Sequence, residues 1–227
     1  MTSLDLQKYL EWDYLAWGEA LKYWDSILPT SLKGKKVLEL GGRNGGLSTY
    51  FAQKGAEVFC SDINSPTHLA QQTHKKLNLT NISYHAIDAT KLSYKNEFDI
   101  IVFKSILGGI GYNNNIAAQK KALSSCYQAL KPGGKLLFAE NGKGSIFHKI
   151  LRTFLTPWGR SWRYLGHKEL KIFLEDEGFN VEIKSFGFFS IFSRNLNVKE
   201  VLLDIDKRLN SIIPNEKKYI HYGTARK

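Results

Sequence analysis

The sequence predicts an α/β protein built on a doubly wound, largely parallel sheet. Short apolar runs alternate with segments of helical periodicity from residue 35 to residue 140, as expected when strands and helices follow one another in such a sheet. The run Phe98–Lys104 is almost wholly apolar, which is typical of a central strand covered on both faces. The run 37–40 leads directly into a glycine-rich turn and the start of a helix. Ligands of this architecture bind beyond the carboxyl ends of the strands.

The turn after the first strand, residues 41–46, reads GGRNGG. Glycine allows the backbone to bend sharply and to approach a ligand that a Cβ atom would exclude. The amide groups at the start of the next helix point into the same space and favour anionic or polar ligand groups. This turn therefore predicts a site for a nucleotide-like ligand.

Two acidic residues end the second and third predicted strands. Asp62 closes the strand Glu57–Asp62, where a carboxylate can accept hydrogen bonds from both hydroxyls of a ribose. The alternative for Asp62 is a helix cap, because Ser65 and Pro66 follow it and favour a helix start. Asp88 ends the third strand in the same way. Parallel strands share one edge at their carboxyl ends, so both acids are predicted near the glycine turn.

Residues 1–30 are predicted to form an amphipathic helical extension of the domain 31–227. Apolar side chains recur at alternating steps of four and three, which places them on one side of a helix over 4–28. These side chains are Leu10, Tyr14, Trp17, Leu21, Trp24 and Leu28. Pro29 ends the helix. We expect the apolar side to pack on its own domain, with a homodimer contact or a lid over the ligand as the alternatives.

Composition and charge narrow the classes of partner. The 227 residues suit one large domain, and a net charge of +11 favours anionic partners such as nucleic acid, a membrane surface or a phosphorylated compound. Lysines are scattered along the whole chain, which instead favours a solvated basic surface. Cys60 and Cys126 indicate neither a disulfide framework nor a metal site. Because we see no secretory leader and no apolar run long enough to span a membrane, we expect a cytoplasmic protein.

These motifs resemble those of the class I S-adenosylmethionine-dependent methyltransferases, in the small-molecule branch of that family. The family's first motif, an acid, any residue and then Gly-x-Gly-x-Gly, stands here over 39–45. The segments FDIIVFKS and LKPGGKLLFAE match the fourth strand and the approach to the fifth. The resemblance covers residues 35 to 140 in order and continues more weakly through 167–179. It implies a Rossmann-like sheet of seven strands whose last strand, near 219–225, is inserted antiparallel.

The resemblance also implies S-adenosylmethionine as the cofactor and assigns residues to it. Gly41, Gly42 and Gly45 would line the methionine and ribose side of the cofactor, and Glu39 would lie beneath them. The remaining assignments are Asp62 for the ribose hydroxyls, Asp88 for the adenine amino group, Ala89 for an adenine contact through its amide, and Phe103 and Lys104 beside the methionyl portion.

Arg43 departs from the family motif, because it occupies the position of the middle glycine. The family needs close backbone approach at this point, whereas this chain carries a long cation. Arg43 can point away while Gly42 and Gly45 preserve the shape of the loop. Alternatively, its guanidinium can pair with the carboxylate of the cofactor, for which a planar fork of donors is well suited. The sequence leaves both interpretations open.

The segment 141–166 is predicted to be a helical insertion on the acceptor side of the site. Its apolar side is formed by Ile146, Phe147, Ile150, Leu151, Phe154, Leu155 and Trp158, and its cations by Lys143, Lys149, Arg152, Arg160 and Arg163. Such a helix is expected to cover the pocket as a lid. The alternative is contact with an anionic membrane surface, which basic amphipathic helices can provide.

His148 and His167 are the candidate catalytic bases, because they lie nearest the insertion and titrate near neutral pH. The other histidines show no clustering, so no metal site is predicted. Nucleic acid is disfavoured as a partner, because the fourth strand is followed by FKSI rather than by a motif of the Asn/Asp-Pro-Pro-Tyr type.

The sequence therefore predicts methyl transfer to a hydroxyl of a small or lipid-linked acceptor, with sugars among the candidates. A nicotinamide-dependent oxidoreductase is a weaker alternative, because Arg43 stands where its motif needs a second glycine. A non-catalytic binding protein that uses the same fold is the other alternative.

Overall fold

The computed structural model describes residues 2–155 and 159–227. One sheet contains seven strands in the order β3-β2-β1-β4-β5-β7-β6. The strands are β1 Lys36–Leu40, β2 Glu57–Asp62, β3 Ile82–Ala86, β4 Phe98–Lys104, β5 Leu130–Asn141, β6 Asn180–Phe186 and β7 Ile220–Arg226. β1 to β5 pair in parallel, and β7 runs antiparallel between β5 and β6. The predicted fold class and the antiparallel last strand are both confirmed.

Helices cover both faces of this sheet. They are α1 Ser3–Leu10, α2 Tyr14–Ile27, α3 Gly46–Gln53, α4 His68–Lys76, α5 Leu107–Ile110, α6 Ile116–Ala129, α7 Ile146–Leu155, α8 His167–Asp176 and α9 Leu196–Leu209. Successive strand residues point to opposite faces, so Val37 joins the core beneath α2 and α3 while Leu38 joins the core beneath α6 and α8. The two cores make the sheet doubly wound.

The N-terminal extension differs from its prediction, because the single helix over 4–28 is broken into α1 and α2. The break lies at Glu11 and Asp13, whose φ angles of 63° and 49° are left-handed. Residues beyond the break stabilise it: the Asp13 carboxylate lies 2.5 Å from Lys199 Nζ, and the ring of Trp12 packs edge to face on Trp17. The break turns residues 11–13 toward the carboxyl ends of the strands.

The apolar stripe of the extension is nevertheless buried in the core of its own domain, as the favoured interpretation predicted. Leu10, Trp17, Leu21 and Trp24 are at most 1% exposed, and Trp24 Nε1 donates a hydrogen bond of 3.0 Å to the carbonyl of Gly223. The chain thus covers this stripe itself. A homodimer stays a prediction.

The segment 141–166 contains α7. Leu151 lies on the inner side of this helix, whereas Ile146, Phe147 and Ile150 are exposed. The side chains of Phe154 and Leu155, and the whole of Trp158, lie outside the described residues. Within the described ranges, no helix combines the length and the apolar character that crossing a bilayer requires.

Candidate active site

A cavity of about 1160 Å³ lies at the carboxyl ends of the central strands. The glycine turn and the ends of β2 and β4 form its floor, residues 9–17 form one wall, and α7 and α9 contribute to the other. Ligand pockets for a compound of drug size have volumes of roughly 300–1000 Å³. The cavity therefore has room for a nucleotide-like cofactor together with a second small molecule.

The glycine turn presents bare backbone to this cavity. Gly41 adopts a left-handed φ of 70°, and a Cβ atom there would collide with the side chain of Ile106. At Gly42 a Cβ atom would lie 3.0 Å from both Cys60 Sγ and Glu39 Oε2. A side chain would clash at Gly41 and be crowded at Gly42, so both positions favour the bare main chain that their predicted cofactor roles require.

Glu39 lies beneath the turn and stabilises the start of α3. Its Oε2 accepts a hydrogen bond of 2.9 Å from the amide of Ser48 and another from the Ser48 hydroxyl. The residue is 4% exposed, and this burial raises the pKa of its carboxyl from 4.5 to about 7. The Ser48 amide belongs to the first turn of α3, where backbone donors lack helical partners. Glu39 therefore ties the end of β1 to the helix that carries the glycine turn.

Asp62 ties the same turn to the end of β2. Its Oδ2 accepts a hydrogen bond of 3.0 Å from the amide of Arg43, and its Oδ1 accepts one of 2.7 Å from the amide of Ile63. The alternative role as a helix cap is wrong, because Thr67 caps α4 through a hydrogen bond from the Ala70 amide. The Asp62 carboxylate also lines the cavity, so it is available to ribose hydroxyls.

Asp88 and Ala89 line the cavity beyond the end of β3. Asp88 Oδ1 accepts hydrogen bonds from the amide and the hydroxyl of Thr90, at 2.9 and 2.7 Å. These two bonds are the main reason why the pKa of Asp88 is lowered from its ordinary value. The carboxylate is consequently held in its charged, hydrogen-bond-accepting form beside the cavity.

Arg43 occupies its glycine position with a left-handed φ of 41°. Its side chain is exposed and lines the cavity. Within residues 2–155 and 159–227, no side chain forms an ion pair with its guanidinium. Arg43 thus adopts a conformation that glycine ordinarily favours, and its charge remains available to a ligand.

Lys104 projects from the end of β4 into the cavity. Its Nζ is buried and has no hydrogen-bond partner in the described parts of the chain. The ammonium lies over two rings instead, 3.6 Å from the ring centroid of Trp12 and 5.0 Å from that of Trp17. Burial lowers the pKa of Lys104 from 10.5 to about 7, against the nearby charges of Glu11 and Asp13, which raise it.

The helix break supplies a wall that sequence reasoning missed. Glu11, Trp12 and Asp13 all line the cavity. Glu11 accepts a hydrogen bond of 2.9 Å from Asn44 Nδ2, which joins the break to the glycine turn. The apolar stripe keeps its spacing from Leu10 to Tyr14, so the periodicity of the sequence does not indicate the break.

The remaining part of the cavity combines aromatic rings with cations. Its lining includes Trp162, Tyr164, Tyr219, Arg152, Arg194 and Lys199. Arg152 donates hydrogen bonds to the carbonyls of Gly142 and Lys143, at 2.7 and 3.1 Å, and stacks 4.1 Å from the ring centroid of Tyr164. We refer to this part, bounded by Leu151, Trp162, Tyr164, Ile191 and Leu196, as the acceptor compartment.

Neither predicted catalytic histidine lies in the cavity. The buried ring of His148 accepts a hydrogen bond from the Ser145 amide at Nδ1, and its Nε2 lies 2.8 Å from the carbonyl of Phe188. His167 Nδ1 lies 2.7 Å from the Ser185 hydroxyl. Burial lowers the pKa of both rings. Because these nitrogens hold loops and strands together away from the cavity, the two residues are corrected to structural roles.

Two of the predicted cofactor residues also lie outside the cavity lining. Gly45 begins α3 with a φ of 73°, and a Cβ atom there would collide with the ring of His74. Phe103 is fully buried in the core beneath α6. Gly45 supports the shape of the glycine turn and Phe103 supports β4, and neither contributes to the surface of the cavity. The other eight predicted positions line the cavity, namely Glu39, Gly41, Gly42, Arg43, Asp62, Asp88, Ala89 and Lys104.

A family model described as a methyltransferase domain matches residues 31–160 of this chain. The chain belongs to the S-adenosylmethionine-dependent methyltransferases. The match begins just before β1 and extends through the glycine turn, both strand-end acids and α7. S-adenosylmethionine is therefore the cofactor, and the residues present fit it. The main chain carries no side chain at Gly41 and Gly42, and the carboxylates of Asp62, at the end of β2, and Asp88, just after β3, line the cavity.

Named relatives support this membership. The chain is 34% identical, over 182 residues, to a ubiquinone/menaquinone biosynthesis C-methyltransferase of Pectobacterium carotovorum, a match that covers 72% of this chain and 70% of the relative. It is 30% identical to a ubiquinone biosynthesis O-methyltransferase of Pseudomonas entomophila, over 48% of this chain and 45% of the relative. Matches to several such relatives cover between 43% and 73% of their length.

A solved structure shows the same fold. Phosphoethanolamine N-methyltransferase 2 of Haemonchus contortus, in complex with S-adenosyl-L-methionine, superposes with a TM-score of 0.67 at 18% identity. The match covers 99% of this chain and 56% of the other. The chain thus spans about half the length of that enzyme.

Proposed function

We propose that this methyltransferase methylates a hydroxyl of a lipid-linked small molecule. One observation carries the proposal. A single cavity joins the cofactor-binding turn to an acceptor compartment lined by apolar and aromatic side chains, and the buried Lys104 also lines this cavity. The relatives named above act in quinone biosynthesis, and their acceptor class is consistent with such a compartment.

The cofactor, when bound, supplies an electrophilic methyl group. The chain's own task is to hold the nucleophile close to that methyl group and in line with it, since positioning provides much of the rate in such a displacement. Trp12 and Trp162 line the cavity from opposite segments of the chain and would exclude water from the acceptor. Arg152 and Arg194 also line the cavity and would attract an acceptor that carries or develops negative charge.

Lys104 is the group that we assign to deprotonation of the hydroxyl. An oxygen nucleophile has to lose its proton as it is methylated, and a base with a pKa near the working pH serves best. Burial brings the pKa of Lys104 to about 7, so a large share of the side chain is neutral there. The neutral amine would accept the proton of the acceptor at Nζ and hold it as an ammonium over the ring of Trp12.

The character of the compartment favours a lipid-linked acceptor over a free sugar. Leu151, Ile191 and Leu196 contribute aliphatic surface, and Trp162 and Tyr164 contribute rings. A sugar exposes several hydroxyls, each of which loses free energy when buried without a hydrogen-bond partner. An acceptor with one reactive hydroxyl on a ring and an apolar tail leaves few such groups unsatisfied.

The test has two stages. Calorimetry with S-adenosylhomocysteine measures cofactor binding, with Asp62→Ala as the variant expected to weaken it and Asp204→Asn, on the exposed side of α9, as the matched control. Methyl-labelled cofactor is then offered with a prenylated hydroquinone, with the same hydroquinone lacking its tail and with a panel of glycosides.

Label in an ether of the prenylated hydroquinone supports the proposal. Label on a ring carbon, or only on a glycoside, overturns the assignment of the acceptor atom or of the acceptor class. Binding of S-adenosylhomocysteine without transfer to any acceptor favours a non-catalytic binding protein.

A further inference from the structure

Helix α7 exposes three large apolar side chains in its first half. Ile146, Phe147 and Ile150 are 67%, 62% and 53% exposed, whereas His148 is fully buried and Arg152 is partly buried on the opposite side. A helix at the surface of a globular domain ordinarily buries its apolar side and exposes its polar one. This exposure indicates that the outer side of α7 meets something other than water.

The inner side of α7 is fixed by polar contacts, so rotation of the helix would be costly. His148 Nε2 lies 2.8 Å from the carbonyl of Phe188, and Arg152 donates a hydrogen bond of 2.7 Å to the carbonyl of Gly142. Rotating α7 to bury its isoleucines would break these hydrogen bonds and expose the groups that make them. The exposed apolar side is thus a consequence of a well-anchored helix.

A further exposed ring, Phe192 of the neighbouring 3₁₀ helix Ser190–Phe192, lies beside the buried side of α7. The ring of Phe192 stacks on His148 with centroids 5.4 Å apart, and Phe192 is itself 43% exposed. Ile146, Phe147 and Ile150 on α7 form what we call the α7 patch. Patches of contiguous exposed apolar side chains mark interaction surfaces in soluble proteins.

The charges around the α7 patch are positive. Lys149 is exposed between Ile146 and Ile150, and the sequence of α7 contains no acidic residue. Lys143, exposed just before the helix, is already paired with Glu169 at 2.8 Å, so Lys149 is the main cation of this surface. The whole chain carries a net charge of +11. Apolar side chains flanked by lysines match a surface that offers acyl chains behind anionic headgroups.

The α7 patch also lies against the acceptor compartment. Leu151 and Arg152, which follow Ile150 directly, line the cavity. Ile191, next to Phe192 in sequence, lines it as well. A molecule that leaves a bilayer at the patch would therefore reach the cavity within about one turn of helix.

We propose that the α7 patch docks on an anionic lipid bilayer, so that a lipid-linked acceptor enters the cavity from the membrane beside α7. The second clause rests on the proposed function, whereas the docking itself does not. A second copy of the chain is a poorer occupant, because a symmetric contact would bring Lys149 toward its own counterpart. Three side chains also fall well short of the roughly 20–30 residues a side of a stable protein interface.

The test is cosedimentation with vesicles of phosphatidylcholine alone and of phosphatidylcholine mixed with phosphatidylglycerol, without cofactor or acceptor. The wild-type chain is expected to bind the mixed vesicles, and the double variant Ile146→Ser/Ile150→Ser should bind at least about tenfold more weakly, because the lost apolar area no longer enters the acyl boundary. Lys149→Glu should weaken binding about fivefold or more by adding an anion beside the anionic surface. Ile172→Ser is the matched control, because Ile172 on α8 is also 53% exposed.

Binding of S-adenosylhomocysteine by each variant, measured by calorimetry, serves as the check of folding. The proposal is overturned if the wild type fails to bind mixed vesicles, or if Ile172→Ser weakens binding as much as the double variant. It is also overturned if the patch variants dissociate a dimer in sedimentation equilibrium while vesicle binding is unchanged. Because no methyl transfer is measured, vesicle binding stands even if the acceptor proves to be a soluble compound.

Discussion

The ammonium of Lys104 lies 3.6 Å from the centroid of the Trp12 ring. The lysine ends β4 and the tryptophan stands in the break between α1 and α2, so this contact joins the sheet to the N-terminal extension. Two effects act on the lysine in opposite directions. The face of the ring stabilises the charged form, whereas burial favours the neutral form and brings the pKa to about 7. Near pH 7, Lys104 is therefore close to half protonated inside the cavity.

The first prediction concerns the pH dependence of methyl transfer. If the neutral amine of Lys104 accepts the proton of the acceptor, kcat/KM rises with pH and levels off above about 7, because protonation below that pKa removes the base. Lys104→Met and Lys104→Arg should both lower kcat by about 100-fold or more, since methionine has no basic group and arginine stays charged. Initial rates measured from pH 5.5 to 9 on each variant test this.

The contrary result is equally informative. If Lys104→Arg retains wild-type kcat, a fixed positive charge is sufficient and Lys104 is an electrostatic group rather than a base. Binding of S-adenosylhomocysteine is the control, and it should change less than kcat in both variants.

The second prediction concerns the stability of the fold. Lys104 has a pKa of about 7 in the folded chain and 10.5 as its ordinary value. Between these values the unfolded chain binds more protons, so the free energy of unfolding rises with pH across this window, by at most ~1.4 kcal/mol per pH unit. Urea denaturation at pH 7, 8 and 9 measures the slope.

Lys104→Met should remove that slope, because methionine does not titrate. The free energy of unfolding of Lys104→Met should also exceed that of the wild type at pH 7, because about half of the wild-type molecules then carry a charged lysine in a buried site. Lys121→Met, at an exposed position of α6, is the control and should leave the slope intact. A wild-type curve that is flat between pH 7 and 9 would show that Lys104 is better solvated than its position indicates.

The third prediction concerns Arg43. Its guanidinium lines the cavity and has no ion-pair partner in the described parts of the chain, so we expect it to bind the carboxylate of the cofactor. Arg43→Ala should raise the Kd for S-adenosylhomocysteine by about tenfold or more, and Arg43→Lys by less. Calorimetry on the three proteins measures this.

Arg43→Gly separates the backbone from the charge. Arginine carries a left-handed φ of 41° here, which costs a residue with a Cβ about 1–2 kcal/mol. The glycine variant should therefore be more stable than the alanine variant in urea while binding the cofactor equally weakly. An unchanged Kd in all three variants would mean that the guanidinium points away from the ligand.

The fourth prediction concerns the ion pair that closes the N-terminal wall. Asp13 lies 2.5 Å from Lys199 Nζ, and Lys199 is 8% exposed. Asp13→Asn leaves a buried ammonium without its counter-charge, so we expect a loss of about 2 kcal/mol in the free energy of unfolding. Because residues 11–13 line the cavity, cofactor affinity should fall as well.

Asp204→Asn is the matched control, because Asp204 pairs with Lys207 on the exposed side of the same helix. Its effect on unfolding should stay within about 0.5 kcal/mol. If Asp13→Asn lowers stability but leaves cofactor affinity unchanged, the break is structural and does not help to close the site.

Local pattern was sufficient to predict the doubly wound sheet and the acids at its strand ends, whereas the seven-strand topology with an antiparallel last strand followed from the family resemblance. The glycine turn, Asp62 and Asp88 are each recognisable within a few residues, because a strand end and a positive φ have local sequence signals. The helix break had no comparable signal, since the apolar stripe continues through it from Leu10 to Tyr14. The break depends on the ion pair of Asp13 with Lys199 and on the contact of Trp12 with Lys104. Because the partners are far apart in sequence, these contacts produce no periodic pattern from which the break could be predicted.

The predicted catalytic bases, by contrast, were residues that the sequence suggested and that the structure places outside the cavity. His148 and His167 were selected by residue type and by nearness to the insertion, yet burial and hydrogen bonds to backbone and hydroxyl groups take them out of the cavity. The family resemblance assigns Lys104 to the cofactor, whereas its burial and its Nζ without a hydrogen-bond partner in the described parts of the chain are visible only in three dimensions. α9 was not predicted at all, because its exposed apolar residues alternate with charges.

The fifth prediction concerns Glu39, which accepts two hydrogen bonds from Ser48 beneath the glycine turn. Glu39→Ala should lower the free energy of unfolding by about 1–3 kcal/mol, because the Ser48 amide and hydroxyl would be buried without a partner. Glu39→Gln should retain most of the stability, since its amide oxygen can accept the same amide hydrogen bond. Urea denaturation at pH 6 compares the three proteins.

The pH dependence of these variants gives a sharper test. Burial raises the pKa of Glu39 from 4.5 to about 7, so between these values the folded chain binds more protons than the unfolded chain, and this group makes stability fall as pH rises. Glu39→Gln does not titrate, so it should gain stability relative to the wild type between pH 5 and pH 7.5. A constant difference across that range would mean that Glu39 is already ionised at pH 5, held by Ser48 more strongly than burial opposes it.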